Sequence, residues 1–275
     1  MFRSILNHCI LIAGFIFLVG PVLLIIASST QLSADLSTRG LDFSIGTSAW
    51  RNYTRVFELQ AGFSGQISAI HMLKNSLIVA LSVATLTTAL SLMSAYALVY
   101  FNIKAATATF WLVLSTLLLP LEARFIPTFE VTNNLGLINT HLGLVLPVLA
   151  LALGTFFLRQ FLLTLPDDLH EAARLDSAGP FLFFKDIVLP LSVGRAGAVF
   201  VIAFMIGWNQ YLWPIMISTD ESLFTLVRGS QILSRSSGPG MALMVITITP
   251  PLLLVLVFQR WFFKSLIDIE KGSGV

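Results

Sequence analysis

Charged side chains are missing from six long stretches of the chain, and each of these stretches is rich in apolar residues. The stretches are Ser4–Ala34, Asn75–Ile103, Ala105–Leu121, Val131–Leu158, Ala196–Thr219 and Ser236–Gln259. A helix that crosses the hydrocarbon core of a bilayer needs roughly 20 mostly apolar residues. The pattern predicts six transmembrane helices, at about residues 8–29, 73–101, 106–128, 138–161, 194–217 and 241–263.

The first stretch has some features of a secretory signal peptide, because Arg3 precedes it and small residues follow it. Its apolar part, from Ile10 to Ile26, is longer than the roughly 7–15 residues of a typical signal core. We therefore interpret this stretch as a transmembrane helix that is not cleaved.

The composition supports a bilayer environment for the whole chain. Of its 275 residues, 56% are hydrophobic and 11% are charged, whereas soluble domains carry about 25% charged residues. So few charges cannot cover a surface that faces water, and we predict an all-α integral membrane protein with a single transmembrane domain over residues 1–275. The formal net charge of +2 argues against nucleic-acid binding. The one cysteine, Cys9, excludes a disulfide within the chain and is predicted to be a small buried hydrophobic residue.

The distribution of lysine and arginine gives a weak signal for orientation. With the N-terminus inside, the inner segments hold Arg3, Lys104, Arg159, Arg174, Lys185, Arg195, Arg260, Lys264 and Lys271. The outer segments then hold Arg39, Arg51, Arg55, Lys74, Arg124, Arg228 and Arg235. Because positive charge favours the cytoplasmic side, the bias has the expected sign. It is small, so charge alone leaves the reverse orientation open.

The segment Thr164–Pro190, here called the 164–190 loop, lies between the fourth and fifth predicted helices and is unlike a simple linker. Thr164 and Asp167 have the spacing of a helix capping box, and Pro166 suits a first helical turn. Gly179-Pro180 is a pair that ends one helix and begins another. We predict two short amphipathic helices joined at a bend, a shape suited to filling a groove on another protein. On these residues alone, an interfacial helix pair that lies on lipid is an equal alternative.

The 164–190 loop also contains a specific spacing of residues. It has Glu-Ala-Ala at 171–173, Ile at 187 and Leu-Pro at 189–190. This pattern resembles the cytoplasmic signature loop of binding-protein-dependent ABC importers, which has Glu-Ala-Ala, three residues, Gly, nine residues, Ile, one residue and Leu-Pro. The chain departs from the pattern at Ser177, which stands at the glycine position, and Gly179 follows two residues later. The departure falls at the bend between the two predicted helices.

The resemblance implies that the 164–190 loop is the docking site of a cytoplasmic ATPase. A homodimer of ATPase subunits would bind ATP and magnesium and would contact two such loops, one from each of two different permease subunits. A periplasmic or extracellular solute-binding protein would deliver the substrate. The residues implied in docking are Glu171, Ala172, Ala173, Asp176, Ser177, Gly179, Ile187, Leu189 and Pro190.

The same resemblance implies an orientation and a non-catalytic role. A loop that contacts a cytoplasmic ATPase faces the cytoplasm, which places both termini of a six-helix chain on the cytoplasmic side of a bacterial inner membrane. The chain has no glycine-rich phosphate-binding loop ending in Lys-Ser or Lys-Thr. We therefore predict a subunit that is not an enzyme and has no catalytic residue, cofactor or metal site of its own.

The resemblance extends over Leu119–Val131, Phe157–Asp176 and Gly207–Pro214. These stretches are similar to the carbohydrate-uptake permeases of ABC importers, a class that includes the maltose permease, and within it to the permeases for sn-glycerol-3-phosphate. The implied substrate is sn-glycerol-3-phosphate or a related small phosphorylated polyol, with a neutral sugar or oligosaccharide as the alternative. An ion-coupled secondary transporter is less favoured, because the sequence shows neither an inverted repeat nor midplane acidic residues. No catalytic constellation supports an integral membrane enzyme.

Charged residues cluster at the end of the third predicted helix, where charge is costly and often marks a substrate path. Arg124 can bind a phosphate through its planar guanidinium, and Glu122 lies beside it on the same path. The alternative is an ion pair of Arg124 with Glu122 or Glu130 at the outer interface, which would hold helices together. Both interpretations stay open on the sequence.

A polar cluster interrupts the fifth predicted helix within Gly207–Pro214. Asn209 and Tyr211 are candidates to line the substrate path, because they offer hydrogen-bond donors and acceptors to a hydroxylated substrate. Polar side chains of this kind equally join neighbouring helices in membrane bundles. Trp208 and Trp213 are predicted to belong to an aromatic belt at the membrane interface.

Overall fold

A computed structural model describes residues 2–58, 60–61, 67–119, 121–230 and 237–272. The regular secondary structure of these residues is helical, apart from a two-residue antiparallel ladder in which Gln60 pairs with Ser68 and Ala61 pairs with Ile67. The predicted helical class is confirmed.

The described helices follow one another closely along the chain. In chain order they are α1 Phe2–Ser28, α2 Ser33–Arg39, α3 Ala49–Glu58, α4 Ala69–Tyr100, α5 Ala106–Ser115, α6 Leu121–Asn134, α7 His141–Val145, α8 Ala152–Leu162, α9 Asp167–Leu175, α10 Pro180–Phe183, α11 Leu189–Trp208, α12 Leu212–Ile217, α13 Leu226–Gly229 and α14 Gly238–Gly272. Between them lie 3-10 turns at Thr116–Leu118, Leu146–Val148 and Glu221–Leu223 and a π turn at Phe184–Val188.

Some of these helices are long and apolar enough to cross a membrane on their own. Among the described residues they are Leu6–Ser28, Ala69–Tyr100, Pro180–Trp208 and Gly238–Gln259. Two helix pairs are long enough only together: Ala106–Leu118 with Ala123–Asn134, bent by 108°, and His141–Val148 with Ala152–Leu162, bent by 48°. The described chain therefore has four candidate spans, or up to six if each bent pair is one span.

The candidate span Pro180–Trp208 begins and ends earlier than the predicted range 194–217. Its helix runs without interruption from Pro180 through the π turn to Trp208. Pro190 has no N–H to donate to the carbonyl four residues earlier, which favours the wide π turn just before it. At the other end the Asn209 side chain turns back and donates from Nδ2 to the Met205 carbonyl at 2.9 Å, so it completes the last turn of the helix.

The chain divides into two compact units. The first unit consists of Met1–Asn75 with Asp220–Pro250, and the second consists of Ser76–Thr219 with Pro251–Val275. In the first unit the Asn75 side chain donates from Nδ2 to the carbonyl oxygens of Ser222, at 2.7 Å, and Phe224, at 3.1 Å. These two hydrogen bonds hold the turn around residue 222 against the first turns of α4.

In the first unit, α1 has no described protein packed around it. None of its membrane-length window is buried by other described residues, and Cys9 on this helix is exposed. The prediction that Cys9 is buried is therefore wrong. The helix is apolar on all sides, which is typical of a helix that spans a membrane.

In the second unit, small residues let three helices approach closely. A Cβ atom at Gly207 of α11 would lie 3.0 Å from the Cα atom of Ala80 in α4. A Cβ atom at Gly154 of α8 would lie 2.5 Å from the Oγ atom of Ser91, also in α4. Membrane helices use small residues where their backbones pack together. The helices α4, α8 and α11 form the frame that carries the 164–190 loop.

Candidate functional site

The first helix of the 164–190 loop starts in a different way from the predicted capping box. α9 begins at Asp167, and Pro166 occupies the N-cap position in an extended conformation. The Thr164 hydroxyl donates to the Phe161 carbonyl at 2.7 Å and does not cap α9. Asp167 and Asp168 lie in the first turn, where the helix dipole favours negative charge. The capping box is therefore not formed, because the proline and the acidic first turn take its place.

The α9 helix ends at Leu175, and the left-handed residue that terminates it is Ser177 and not Gly179. Ser177 has a φ of 56°, in the left-handed region. The Ser177 N–H donates to the Arg174 carbonyl at 3.0 Å and the Ala178 N–H donates to the Ala173 carbonyl at 2.9 Å. This pair of bonds is the Schellman motif, whose left-handed residue is usually glycine. The geometry explains why the signature has glycine at this position.

Gly179 has an ordinary backbone conformation, with φ of −68° and ψ of 164°, and it is the N-cap residue of α10. The prediction that Gly179 ends the first helix is therefore wrong. The predicted second short helix corresponds to α10, which continues through the π turn into α11 instead of ending before the candidate span. Pro180 is thus the first residue of a helix that is long and apolar enough to cross a membrane.

An aromatic cluster fastens the 164–190 loop to the end of α4. The Tyr96 hydroxyl donates to the Pro180 carbonyl at 2.8 Å. The ring of Tyr100 lies 5.4 Å from that of His170 and 5.0 Å from that of Phe183, measured between centroids. The His170 and Phe183 rings are 4.9 Å apart, so residues of α9 and α10 meet at Tyr100.

Sequence reasoning missed this aromatic cluster. The available signal was the i, i+4 spacing of Tyr96 and Tyr100, which places both rings on one side of the last turns of α4. Phe183 is buried against them, together with Ala173 of the Glu-Ala-Ala motif. The second alanine of the motif is therefore a packing residue that seats α9 on the bundle.

The opposite side of the loop carries exposed charge and exposed apolar surface. Glu171 and Ala172 are exposed, as are Asp176 and Ser177. Leu175 is 86% exposed and Phe181 is 75% exposed. Glu171 makes no ion pair with any other residue that the structure describes. Exposed large apolar side chains next to unpaired carboxylates are typical of a surface that a protein partner covers.

The other predicted docking residues lie on the helix that leads into the span. Ile187 is half-buried and packs on the same cluster as Phe183, whereas Leu189 and Pro190 are exposed. Glu171, Ala172 and Asp176 are thus all exposed. Ile187 belongs to the inner packing.

Arg124 lies in α6 and is half-buried. Its Nε atom is buried and has no hydrogen-bond partner among the residues that the structure describes. No ion pair joins Arg124 to Glu130, which is exposed, and a six-residue separation on a helix points two side chains to different sides. The side chain of Glu122 lies outside the described residues. The guanidinium is thus left with hydrogen-bonding capacity that another group can use.

The helix break at residues 209–211 contains the other predicted path residues. Asn209 is exposed at the end of α11, and Tyr211 is exposed just before α12. Between them, both polar atoms of the Gln210 amide are buried without a hydrogen-bond partner in the described part of the chain. Breaks in membrane helices are where transporters hold polar groups of a substrate. Gln210 is therefore a further candidate for the substrate path, beside Asn209 and Tyr211, and the sequence analysis did not predict it.

The two tryptophans near the break are core residues and do not belong to an interface belt. Trp208 is buried and its ring stacks on that of Phe204 at 5.7 Å between centroids. Trp213 is buried and donates from Nε1 to the Gly143 carbonyl at 3.0 Å. Because the indole N–H has a protein partner, no interface water is required. The prediction of an aromatic belt here is wrong.

A cavity of about 580 Å³ lies beside the break, between α11 and α14. It is lined by Val201, Ile202, Met205, Ile206, Asn209, Val255, Phe258 and Gln259. The lining is apolar except for the two amides, and it contains no cation to neutralise a phosphate. The structure therefore does not bring Arg124 into the same cavity as Asn209. Within the described ranges, no group of three or more His, Cys, Asp or Glu side chains is arranged to hold a metal ion.

Comparisons with known proteins agree on one family. Residues 88–268 match the family model described as the inner membrane component of binding-protein-dependent transport systems. The sn-glycerol-3-phosphate transport system permease protein UgpE of Yersinia pestis is 40% identical over 274 residues, which cover 98% of this chain and 97% of the relative. The UgpE protein of Rhizobium meliloti is 38% identical over the same shares.

A solved structure shares the fold. It is the crystal structure of a bacterial ABC transporter involved in the import of the acidic polysaccharide alginate. One of its chains matches with a TM-score of 0.82 and 18% identity, over 95% of this chain and 96% of that one. At this identity the likeness concerns the arrangement of the helices.

Proposed function

The chain belongs to the family of inner membrane components of binding-protein-dependent transport systems, and from this premise we propose its substrate, its partners and its docking residues. It is a permease subunit of an ABC importer and is not itself the ATPase. The proposed substrate is sn-glycerol-3-phosphate or a related small phosphorylated polyol. The observation that carries this assignment is the 40% identity to permeases named for that substrate, over 98% of the chain.

The proposed architecture has six spans, with each bent helix pair counted as one span. In this arrangement the 164–190 loop and both termini face the cytoplasm. A second, different permease subunit completes the path, a homodimer of ATPase subunits binds ATP and magnesium, and a solute-binding protein delivers the substrate from outside. The whole of residues 1–275 then acts as one permease domain in the inner membrane.

The proposed ATPase dock is the exposed side of the 164–190 loop, centred on Glu171. Its carboxylate has no partner within the described chain, and Leu175 and Phe181 add apolar surface beside it. A groove with a basic group and apolar walls complements this surface. Closure of the ATPase dimer around ATP then moves the loop.

The proposed route of that movement follows a single helix. α10 is continuous with α11, so the helix spans 29 residues from Pro180 to Trp208. At 1.5 Å per residue its length is about 43 Å, enough to cross the bilayer. Displacement of Pro180 at the loop therefore reaches the break at residues 209–211 with little loss, because a packed helix moves as a rigid body. Asn209 and Tyr211 lie at the point where that rigid element ends.

The proposed substrate path includes Arg124, Glu122, Asn209 and Tyr211. Arg124 supplies the positive charge, and its planar guanidinium suits bidentate binding of a phosphate. Asn209 and Tyr211 supply donors for hydroxyl groups. A neutral sugar is the second candidate, and the uncharged lining of the cavity beside Asn209 favours it.

The experiment that separates the two substrates uses the complete transporter in proteoliposomes with its solute-binding protein. We expect ATP-dependent uptake of radiolabelled sn-glycerol-3-phosphate and little uptake of maltose-like sugars. Tight binding of those sugars to the solute-binding protein, with none of sn-glycerol-3-phosphate, would overturn the assignment.

A second measurement tests the role of Arg124. Arg124→Gln removes the charge, and Arg124→Lys keeps it but loses the bidentate geometry. We expect uptake of the phosphorylated substrate to fall at least about tenfold with Gln and less with Lys, because a charge-assisted pair contributes about 1.5–3 kcal/mol. Normal uptake by Arg124→Gln would remove Arg124 from the path.

A further inference from the structure

The segment Gln31–Glu58, here called the 31–58 segment, is folded directly onto the end of the first candidate span. The Asn52 side chain is buried and donates from Nδ2 to the carbonyl of Ser29, at 2.9 Å, and to that of Gln31, at 2.8 Å. The Ser48 N–H donates to the Thr30 carbonyl at 2.9 Å. Because the candidate span ends at Ser28, these bonds fix α3 against the end of that span.

A second set of bonds fastens the turn before α3 to the same place. The buried Gln31 amide donates to a carboxylate oxygen of Asp42 and to the Ser44 carbonyl, the latter at 2.7 Å. The Gly46 N–H donates to the Thr30 hydroxyl at 2.7 Å. Hydrogen bonds from the hydroxyl and N–H of Ser44, and then from Gln31, lower the pKa of Asp42, so the carboxylate that accepts them is ionised at neutral pH.

The outer side of this anchored segment is apolar. Ile45 is 84% exposed, Trp50 is 83% exposed and Phe43 is 63% exposed. In α3 the inner side consists of Asn52 and Val56, which are buried. Large apolar side chains on a fixed backbone are therefore presented outward without any cover from the described chain.

Two arginines accompany these apolar residues. Arg51 and Arg55 are exposed and lie four residues apart in α3, on one side of the helix. Neither makes an ion pair with another described residue. Phe57 is also exposed, on the side of α3 that carries Trp50, seven residues earlier.

We propose that this surface, formed by Phe43, Ile45, Trp50, Arg51, Arg55 and Phe57, lies on the lipid bilayer as an interfacial anchor. Three observations favour lipid as the occupant. The surface is held at the end of a span, and it continues from α1, around which the described chain provides no protein cover. Its mixture of aromatic and arginine side chains is also what the interface favours.

In this arrangement each residue type meets the layer of the bilayer that suits it. Trp50 and the apolar side chains enter the boundary between headgroups and acyl chains. Arg51 and Arg55 bind lipid phosphates, for which the guanidinium geometry is suited. The anchor prevents the end of α1 from sliding through the membrane while other helices move.

The test uses the complete transporter in nanodiscs of phosphatidylethanolamine and phosphatidylglycerol. Cys9 is the only cysteine of this chain, so Cys9→Ser gives a background in which Ile45→Cys or Phe57→Cys carries a single nitroxide label. Ser37→Cys, at an exposed polar position of α2, is the matched control. Collision rates with oxygen, which concentrates in lipid, and with a water-soluble nickel chelate are measured for each label.

We expect oxygen to collide with the labels at 45 and 57 several times more often, relative to nickel, than with the label at 37. Nickel accessibility equal to that at 37 would overturn the proposal, because the surface would then face water. Loss of accessibility to both reagents would also overturn it, because a protein partner would then cover the surface.

A second arm tests the arginines. We expect the combined change of Arg51→Gln and Arg55→Gln to lower the oxygen-to-nickel ratio at position 57, since the helix loses its hold on the phosphates. An unchanged ratio would overturn the assignment of the arginines to lipid phosphate.

Discussion

The 164–190 loop and the 31–58 segment both extend from the end of a candidate span, but they are fastened to it by different chemistry. In the 164–190 loop, the Phe183 ring packs on the rings of Tyr96 and Tyr100 of α4, and one hydrogen bond runs from Tyr96 to the Pro180 carbonyl. The 31–58 segment is held by the buried amides of Gln31 and Asn52, which donate to several acceptors.

The difference matches the two proposed roles. Contacts between apolar rings are non-directional, so they persist when one surface shifts slightly over another. Hydrogen bonds weaken steeply when their angle changes, so a double amide anchor holds one position. The aromatic contacts suit a loop that transmits movement, and the double amide anchor suits a segment that keeps a span at a fixed depth.

The comparison predicts its largest effect at Glu171. Changing Glu171→Lys places a positive charge against the basic group expected on the ATPase, and like charges at an interface cost several kcal/mol. We expect ATP-driven uptake in proteoliposomes to fall at least about tenfold, while the complex still assembles in detergent.

The matched control is Asp186→Lys, which makes the same change of charge at another exposed carboxylate of the 164–190 loop. We expect its uptake to stay near that of the unmodified transporter. Normal uptake by Glu171→Lys would show that the dock lies elsewhere.

The next effect concerns the amide anchor. Asn52→Ala removes two hydrogen bonds and leaves two carbonyl oxygens short of a partner, which we expect to destabilise the 31–58 segment locally by about 2–3 kcal/mol. A nitroxide label at Phe57→Cys should become much more mobile, while coupling between ATP hydrolysis and uptake should change little.

Thr54→Ala is the control for this change. The Thr54 hydroxyl donates only within α3, to the Trp50 carbonyl at 2.9 Å and the Arg51 carbonyl at 3.1 Å. Its removal should leave the label as ordered as before. Equal mobility in both variants would mean that Asn52 is not the anchor.

A smaller effect is expected at the aromatic anchor. Tyr96→Phe keeps the ring and removes the one hydrogen bond to the Pro180 carbonyl, at a cost of about 1 kcal/mol. This corresponds to about a fivefold shift in local opening. We expect faster hydrogen exchange of the amides at residues 178–184 and more ATP consumed per substrate transported.

Tyr100→Phe provides the comparison for Tyr96, because both variants keep an aromatic ring at the end of α4. No protein partner of the Tyr100 hydroxyl is found in the described ranges, so its loss should leave exchange and coupling unchanged. If both variants behaved alike, the hydrogen bond to Pro180 would have no part in coupling.

Sequence reasoning succeeded where the signal was local. Charge-free runs located the apolar helices that are candidate spans, and the spacing from Glu171 to Pro190 indicated the family. Boundaries were less well predicted, because a helix can begin inside a charged segment, as at Pro180, and can end inside a charge-free one, as at Asn209. The side-chain cap at Asn209 ends the helix without any change in hydropathy.

The contacts that anchor the two segments could not be predicted from the sequence. Tyr96 meets Pro180 across 84 residues, and Asn52 meets Ser29 across 23. No periodicity links such positions, since only the packing of whole helices brings them together. The candidate path was predicted by residue type alone, so the sequence did not reveal that Gln210 would be buried without a partner between Asn209 and Tyr211.

The smallest predicted effect concerns the bend in the 164–190 loop. Ser177 adopts a left-handed conformation that costs a residue with a Cβ atom roughly 1–2 kcal/mol, whereas glycine adopts it freely. Glycine also loses more freedom on folding, so we expect Ser177→Gly to stabilise the end of α9 by only about 0.5–1 kcal/mol. Slower hydrogen exchange of the Ala178 amide would reveal this stabilisation.

Gly179→Ala is the control variant, which we expect to have little effect. The conformation of Gly179 suits any residue before proline, and nothing lies within 4 Å of a Cβ atom there. If Gly179→Ala destabilised the loop by more than Ser177→Gly stabilised it, the bend would be centred at residue 179. Ser177 would then not occupy the position of the signature glycine.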